Sequence, residues 1–222
     1  MPKKLKLDKT KIIVFTIVSI IIIFFTYLSI PSLYKFDKFK LEIENKIYNQ
    51  FGLNLKIDND INYVFFPSPR IKLNNIKIFN HEGSKKILSK NNEVNILLDV
   101  FSLLGFNNLN FKKIIIKDSI FNLDYKNISS LKKFFLKTKL PKKKFKIINS
   151  NFFIYDDKTI ILKVDINNSK INLDKDLRSL FLDSKIFGTE VILNFIHDDK
   201  NINKSKFYFN IPKLGLDFKT LF

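Results

Sequence analysis

Residues 12–30 read IIVFTIVSIIIIFFTYLSI, an apolar run with no charge in it. As a helix rising about 1.5 Å per residue the run extends roughly 28 Å, close to the hydrocarbon thickness of a bilayer. Behind it the apolar period stays helical but one-sided. Phe36, Phe39, Ile43, Ile47 and Phe51 recur at three- to four-residue steps, with Lys40, Glu44 and Asn49 elsewhere. This predicts a short amphipathic helix over 37–51, with Asp37 as its N-cap and Gly52 in the left-handed position past its end.

From residue 53 the period becomes two. Leu53, Leu55 and Ile57 alternate with polar residues, 61–66 is apolar, and Pro67-Ser68-Pro69 stops it. Ile71 and Leu73 then alternate with Arg70 and Lys72, and after Asn74-Asn75 the phase slips to Ile76 and Ile78. A one-residue slip would turn the apolar set to the other face, so a bulge is expected at Asn74-Asn75. Residues 81–84 read as a turn. Further strands are expected at 94–100, 109–116, 119–124, 145–148, 151–156, 159–167, 170–174, 190–196, 206–211 and 214–218. The cleanest alternation is Ile160, Leu162, Val164 and Ile166 against Lys163 and Asp165. It predicts a sheet with one apolar and one wet face. Asp156-Asp157-Lys158, Asn167-Asn168-Ser169 and Asp198-Asp199-Lys200 read as short turns, which favour an antiparallel meander. An open groove and a closed sandwich satisfy this pattern equally.

Charge adds an orientation. Lys3, Lys4, Lys6, Lys9 and Lys11 precede the apolar run against one acid, whereas the lysines after it are interleaved with Asp37, Glu42 and Glu44. The denser basic cluster stays in the cytoplasm. The run exceeds the usual core of a signal peptide and no Ala-x-Ala-like site follows it, so an uncleaved anchor is expected. A pilin-type stem would need a Gly-Phe processing site and an early Glu, and neither is present. The expected layout is a cytoplasmic tail (1–11), a transmembrane helix (12–30), a juxtamembrane helix (31–52) and an exported β domain (53–222).

The net charge of +18 invites a nucleic-acid reading, but 37 of the 39 basic residues are lysine and only Arg70 and Arg178 carry the forked guanidinium of specific readers. Lys, Asn, Ile and Phe are the residues of A/T-rich codons, and no nucleic-acid partner is expected. Without cysteine there is no disulfide framework. His81 and His197 have no partner at metal-ligand spacing and read as exposed loop residues. None of the five glycines stands in a phosphate-binding frame, and no nucleophile elbow occurs. Residues 58–69 begin like a calcium loop but place Tyr63 and Pro69 where Gly and Glu are required. The pairs Asp156-Asp157 and Asp198-Asp199 precede Lys in turns. Neither a cofactor, a metal nor an enzymatic activity is expected. Residues 129–146 carry eight lysines and no acid. They read as a solvated connection or as a basic patch facing anionic headgroups, with Lys142, Lys143 and Lys144 as candidate contacts.

The order of these features resembles the N-terminal region of the AsmA family of bacterial envelope proteins over about residues 1–168. An anchor is followed by a helix running into Phe51-Gly52-Leu53-Asn54-Leu55-Lys56-Ile57. The aromatic stretch and Phe66-Pro67-Ser68-Pro69-Arg70-Ile71-Lys72-Leu73-Asn74-Asn75-Ile76-Lys77-Ile78 come next. Ser102-Leu103-Leu104-Gly105 and Ile148-Asn149-Ser150-Asn151-Phe152-Phe153-Ile154-Tyr155-Asp156 complete the likeness. The resemblance implies a mainly β fold: one N-terminal transmembrane helix, a short amphipathic helix, then an antiparallel, curved, groove-like sheet. It implies a single-pass inner-membrane protein facing the periplasm, related to bridge-like lipid-transfer proteins and serving outer-membrane biogenesis. Membrane phospholipid is then the expected partner, with other envelope proteins completing a conduit. Ile71, Leu73, Ile160, Leu162, Val164 and Ile166 are the candidate groove lining. Family members are several-fold longer, so the chain reads as a short member or an N-terminal portion. A lipopolysaccharide-export component with a β-jellyroll, and a structural envelope protein that binds partners through sheet edges and no lipid, remain the alternatives.

Overall fold

A computed structural model of the chain describes residues 9–51, 53–58, 60–79, 87–105, 108–127, 143–174, 176–198 and 204–221. Helix α1 (Lys9–Ser29) contains most of the apolar run and continues as a 3-10 turn, Ile30–Leu33; together they are long and apolar enough to cross a membrane. A second 3-10 turn, Phe36–Phe39, leads into α2 (Lys40–Phe51). Asp37 does not cap α2 as expected: its carboxylate accepts the Ile61 backbone N–H at 3.2 Å and lies 3.8 Å from Lys40 Nζ. Gly52 lies outside the described residues, as does the turn at 81–84.

Eleven strands form one sheet: β1 (Asn54–Lys56), β2 (Ile61–Val64), β3 (Arg70–Phe79), β4 (Ile87–Leu98), β5 (Phe111–Asp124), β6 (Lys143–Asp156), β7 (Thr159–Leu173), β8 (Leu177–Ile186), β9 (Thr189–Asp198), β10 (Lys204–Ile211) and β11 (Leu216–Leu221). The strands stand in sequence order, except that β1 and β2 both pair along one edge of β3, β2 against Arg70–Leu73 and β1 against Lys77–Phe79. One sheet holds every described strand, so neither a closed sandwich nor a jellyroll forms. The pairing is antiparallel with one exception to the expected meander: β5 and β6 are parallel. Parallel neighbours need a crossover of about a dozen residues or more, and residues 125–142 supply that length. At the β8–β9 hairpin, by contrast, Phe187 and Gly188 alone connect Ile186 to Thr189. Both take positive φ (48° and 78°), as the two-residue turn matching strand twist requires.

The strands β5, β6 and β7 each unite two segments that the phase breaks had separated, and β8 lies where no strand was expected. In β5, β6 and β7 the reason is a row of Asn and Asp residues crossing the sheet. Asn75 stands opposite Asn92, Asn92 opposite Asp118, Asp118 beside Asn149, and Asn149 opposite Asn167. Asn75, Asp118 and Asn149 have φ of 53°, 50° and 48°, a left-handed conformation that Asn and Asp tolerate better than other side chains. The Asn149 amide donates to the Asp118 carboxylate. Each strand thus shifts its alternation by one residue at the same level. Ile71 and Leu73 remain on the same face as Ile76 and Ile78, and all four are buried. The expected one-sided bulge at Asn74-Asn75 is absent, because β3 and β4 both carry the extra residue and their register continues through it. The row ends as a true bulge between β7 and β8, where Asn167 has no Cα partner.

Helix α2 packs on one face of the sheet, here termed inner. Ile43, Ile47 and Phe51 are fully buried in one cluster with Ile71, Leu73, Val94, Ile96, Ile114 and Ile116, and the Phe51 ring meets Phe145 edge-on at 5.5 Å. Burying each such side chain contributes about 1.5–3 kcal/mol. Polar side chains fix the helix in place: Gln50 Oε1 accepts the Phe111 N–H at 3.2 Å and Glu44 Oε1 the Ile57 N–H at 2.6 Å.

The end of α1 is joined to the same core. Leu28, Pro31 and Phe36 are buried. Tyr27 and Tyr34 donate to the carbonyls of Val100 and Leu103 at 2.7 and 2.8 Å, and Tyr63 donates to the Leu28 carbonyl at 2.6 Å. Burial, with the neighbouring Tyr34 and Tyr27 phenols, pushes the Tyr63 hydroxyl up to about 12, so it remains a donor at any physiological pH.

On the outer face Glu93 of β4 is held between Lys72 of β3 and Lys117 of β5, with both Nζ atoms at 2.7 Å, and it accepts from Asn95 at 2.6 Å. Lys117 foremost, then Lys72, lowers its carboxyl to about 2. A carboxylate depressed from 4.5 to about 2 contributes stability that is full above the higher value and lost as pH falls through the lower. Because the group is partly exposed, Glu93→Gln should destabilise by only about 1–2 kcal/mol at pH 7. Urea unfolding of the detergent-solubilised chain should show that gap closing between about pH 4.5 and about pH 2; a gap independent of pH would contradict the assignment.

Candidate functional site

The inner face divides into two parts. Over β3 to β6 it is covered by α2. Beyond β7 the strands pair only edge to edge, and among the described residues no element packs over them. Register identifies the inward positions. Ser184, Leu182, Leu180 and Arg178 of β8 oppose Val191, Leu193, Phe195 and His197 of β9; Leu193, Phe195 and His197 oppose Phe209, Phe207 and Ser205 of β10; Phe209 opposes Phe218 of β11. The middle of this surface is therefore an apolar band built from Leu180, Leu182, Leu193, Phe195, Phe207 and Phe209. All six are only partly buried, and Phe218 at the sheet's edge is 55% exposed. The Phe207 and Phe209 rings lie nearly parallel at 6.4 Å, and Phe218 meets Phe207 edge-on at 6.3 Å.

A polar row closes the band at one end, and a single serine beside the apolar Val191 marks the other. Arg178, His197 and Ser205 cross three strands at one end, and Ser184 lies at the other, its hydroxyl donating to the Val191 carbonyl at 3.3 Å. From Arg178 to Ser184 the strand rises about 20 Å, which bounds the band's width. His197 is not the loop residue expected: it lies within β9, half-buried, with Nδ1 2.8 Å from Ser205 Oγ and its ring parallel to Phe195. His81 is outside the described residues.

The expected lining residues fall at different places. Ile71 and Leu73 are fully buried in the α2 core and present no open surface. Ile166 is buried at the edge of that core, and Val164 packs partly buried against it. Leu162 is half-buried opposite Ile154. Ile160 is 51% exposed and out of phase with them, because the β6–β7 register shifts after Ile154 and leaves Ile161 without a partner. Lys163 forms an ion pair with Asp165 at 3.1 Å on the other face. The series thus marks the border of the covered core, and the open surface begins one strand later. Phe207 and Phe209, in the strand expected over 206–211, carried a signal for it, whereas Phe181 between Leu180 and Leu182 hid the matching positions of β8.

Of the candidate headgroup contacts, Lys142 lies outside the described residues and Lys143 is described only by its backbone. Lys144 is half-buried near the start of β6. Burial, and then the charges of Lys146, Lys144 and Lys170, lowers the ammonium of Lys113, which marks a crowded cationic patch on the outer face of β5–β7. A depression on the outer face of β9–β11, lined by Asn194, Ile196, Lys206, Tyr208, Lys219 and Leu221 among others, is partly occupied by its own side chains: Lys219 Nζ stands 5.2 Å over the Tyr208 ring. Among the described residues no three His, Cys, Asp or Glu side chains converge as a metal site would need.

The chain thus combines an N-terminal apolar helix, one mostly antiparallel open sheet and an apolar surface that no described element covers. The AsmA family model matches residues 3–176, and the chain belongs to the AsmA family. The match ends just before β8, so the open band lies beyond the matched segment. A search of the curated proteins finds none that matches this chain.

Half-buried positions of an open surface accept a charge far more readily than covered ones. Leu180→Lys should therefore cost less than about 1 kcal/mol, and Ile96→Lys beneath α2 more than about 3 kcal/mol. Thermal unfolding of the two variants in detergent, followed by circular dichroism, checks this. Equal losses would mean that the band is covered.

Proposed function

We propose that this protein binds phospholipid acyl chains on the open inner face of β8–β11 and takes part in phospholipid transfer across the cell envelope. The observation that carries the reading is the apolar band of Leu180, Leu182, Phe195, Phe207 and Phe209, which no described element covers. An apolar surface spanning several strands exceeds what soluble domains usually leave bare, and lipid chains would cover it at about 0.8 kcal/mol per buried methylene. Membership of the AsmA family and the membrane-length helix support the same reading. Val164 and Ile166 form the near border of the lipid surface in this proposal, and Lys142, Lys143 and Lys144, with Lys113 and Lys146, offer charge to anionic headgroups.

The helix α1 would anchor the chain in the inner membrane with its N-terminus in the cytoplasm and the sheet in the periplasm. Ten strands in line extend about 45 Å, short of an envelope's width. The sheet would then be one section of a conduit shared with other envelope proteins, and movement would follow a lipid gradient or a partner's work.

A photo-crosslinking residue at Leu182, Phe195 or Val164 should capture phospholipid in cells, whereas one at Lys163 or Asn210 should not. Absence of any lipid adduct on the inner face would remove the transfer function and leave the sheet as a protein-binding scaffold. Orientation is checked separately: alkaline phosphatase fused after Phe222 should be active, and an inactive fusion would reverse the topology.

A further inference from the structure

We infer that the two loops at the base of α1 are seated in the membrane that α1 spans, so that the β domain rests on the bilayer through an apolar collar. This rests on the reading of α1 as a membrane anchor, and not on lipid transfer by β8–β11.

The first observation is the depth the loops reach. In the β2–β3 connection, Phe65 meets Phe25 edge-on at 6.5 Å. Phe25 belongs to the apolar run and lies roughly 7 Å along the helix before Ile30. In the β4–β5 connection, Val100 accepts the hydroxyl of Tyr27, also within the run. Both loops therefore lie alongside the last turns of the span rather than beyond its end.

The second is what the loops expose there. Phe66 is 66% exposed, Phe101 93% and Leu104 59%; Leu33, in the turn that continues α1, is 83% exposed. These are among the most exposed apolar side chains of the described sheet domain, and they gather around the one element that is apolar on every side.

The third is how the loops satisfy their backbone. Hydrocarbon offers no hydrogen bonds, so a loop that enters it must provide its own. The Phe66 and Ser68 carbonyls accept from Arg70 Nη1 at 3.0 and 3.2 Å. The Val100 and Leu103 carbonyls are taken by Tyr27 and Tyr34. The Phe101 N–H donates to Asp99 Oδ1 at 3.2 Å, the Ser102 N–H to the Asp99 carbonyl at 3.0 Å, and the Asn110 N–H to Ser102 Oγ at 2.9 Å. Gly105 takes φ +98° and donates its N–H to Tyr34 Oη at 2.6 Å. Apolar side chains turned outward beside these internal pairings suit a loop seated in a membrane, and Tyr27, Tyr34 and Tyr63 supply amphipathic rings of the kind found at the interface. A protein partner would not need the loops to lie at the depth of Phe25.

Because the chain lacks cysteine, single cysteines can be labelled in the full-length protein. We would place an environment-sensitive fluorophore at Phe66, at Phe101, at Ile20 in α1 and at Phe187 in the β8–β9 hairpin, and reconstitute each variant in phosphatidylethanolamine–phosphatidylglycerol vesicles. All four native side chains are exposed, so labelling does not disturb a core. The Phe66 and Phe101 labels should be quenched by doxyl-labelled lipid and should resist aqueous iodide at least about fivefold better than the Phe187 label. Iodide access at Phe66 or Phe101 with Ile20 protected would overturn the collar and leave the anchor standing. Protection from iodide without doxyl quenching would mean that protein covers the loops, and would also overturn it. Iodide access at Ile20 would overturn the anchor and the collar together.

Discussion

A single-layer sheet must have its apolar face covered, and this chain supplies one twelve-residue helix for the purpose. Everything else in the structure follows from how little that helix can reach. Where α2 lies, Ile43, Ile47 and Phe51 close a core of protein density, and the strands beneath read as fully buried. Where it ends, the inward positions stay apolar for four more strands with nothing described above them. A dense core and an open apolar surface are thus built from the same inward positions of one sheet.

The covered and open parts stay on one face only because of the Asn/Asp row. A strand as long as β5 or β7 would, with unbroken alternation, keep a single phase from end to end. In β3, β5 and β6 a left-handed Asn or Asp resets that phase, and because the neighbouring strands reset at the same level, ladder pairing survives on both sides. Buried Ser119 and Ser150 sit next to the row, and the Ser119 N–H donates to Ser150 Oγ, so the local disruption is repaired by side chains. The row stops where β8 carries no matching residue, which is also where the covered core gives way to the open band.

This device explains what could be read from the sequence and what could not. The amphipathic helix was legible in its spacing, since Ile43, Ile47 and Phe51 needed only a local period. The strands were legible in type but not in length. Asn and Asp are ordinarily turn residues, so Asn167-Asn168-Ser169 read as the end of one strand and the start of another, while in the sheet it is the middle of β7. Strand β8 escaped because Leu180, Phe181 and Leu182 are apolar in succession and break the alternation. The parallel β5–β6 pair was hidden in a connection whose length, rather than its composition, was the clue. The position of the site was the least legible. Ile71 and Phe209 have the same local pattern, and only the reach of α2, a long-range property, decides that one is core and the other surface.

The same reach constrains how lipid could travel. The collar around Phe66 and Phe101 and the open band around Phe195 and Phe207 are both apolar, but they are not continuous along the inner face. Between them lies the α2 core, where Ile43, Ile47 and Phe51 leave no exposed surface for an acyl chain to follow. Displacing even one of these side chains from its packing would cost about 2–5 kcal/mol, more than a transient opening contributes back through a few buried methylenes. A lipid leaving the membrane would therefore bypass α2 and meet the sheet at the ends of β7 and β8, where Arg178 and His197 border the band and the cationic patch of Lys113, Lys144, Lys146 and Lys170 stands on the reverse face. In the proposed arrangement α2 would be a stop between the base of the domain and the open band, and the tyrosine hydrogen bonds that fix α1 to the core would hold the two at a constant separation.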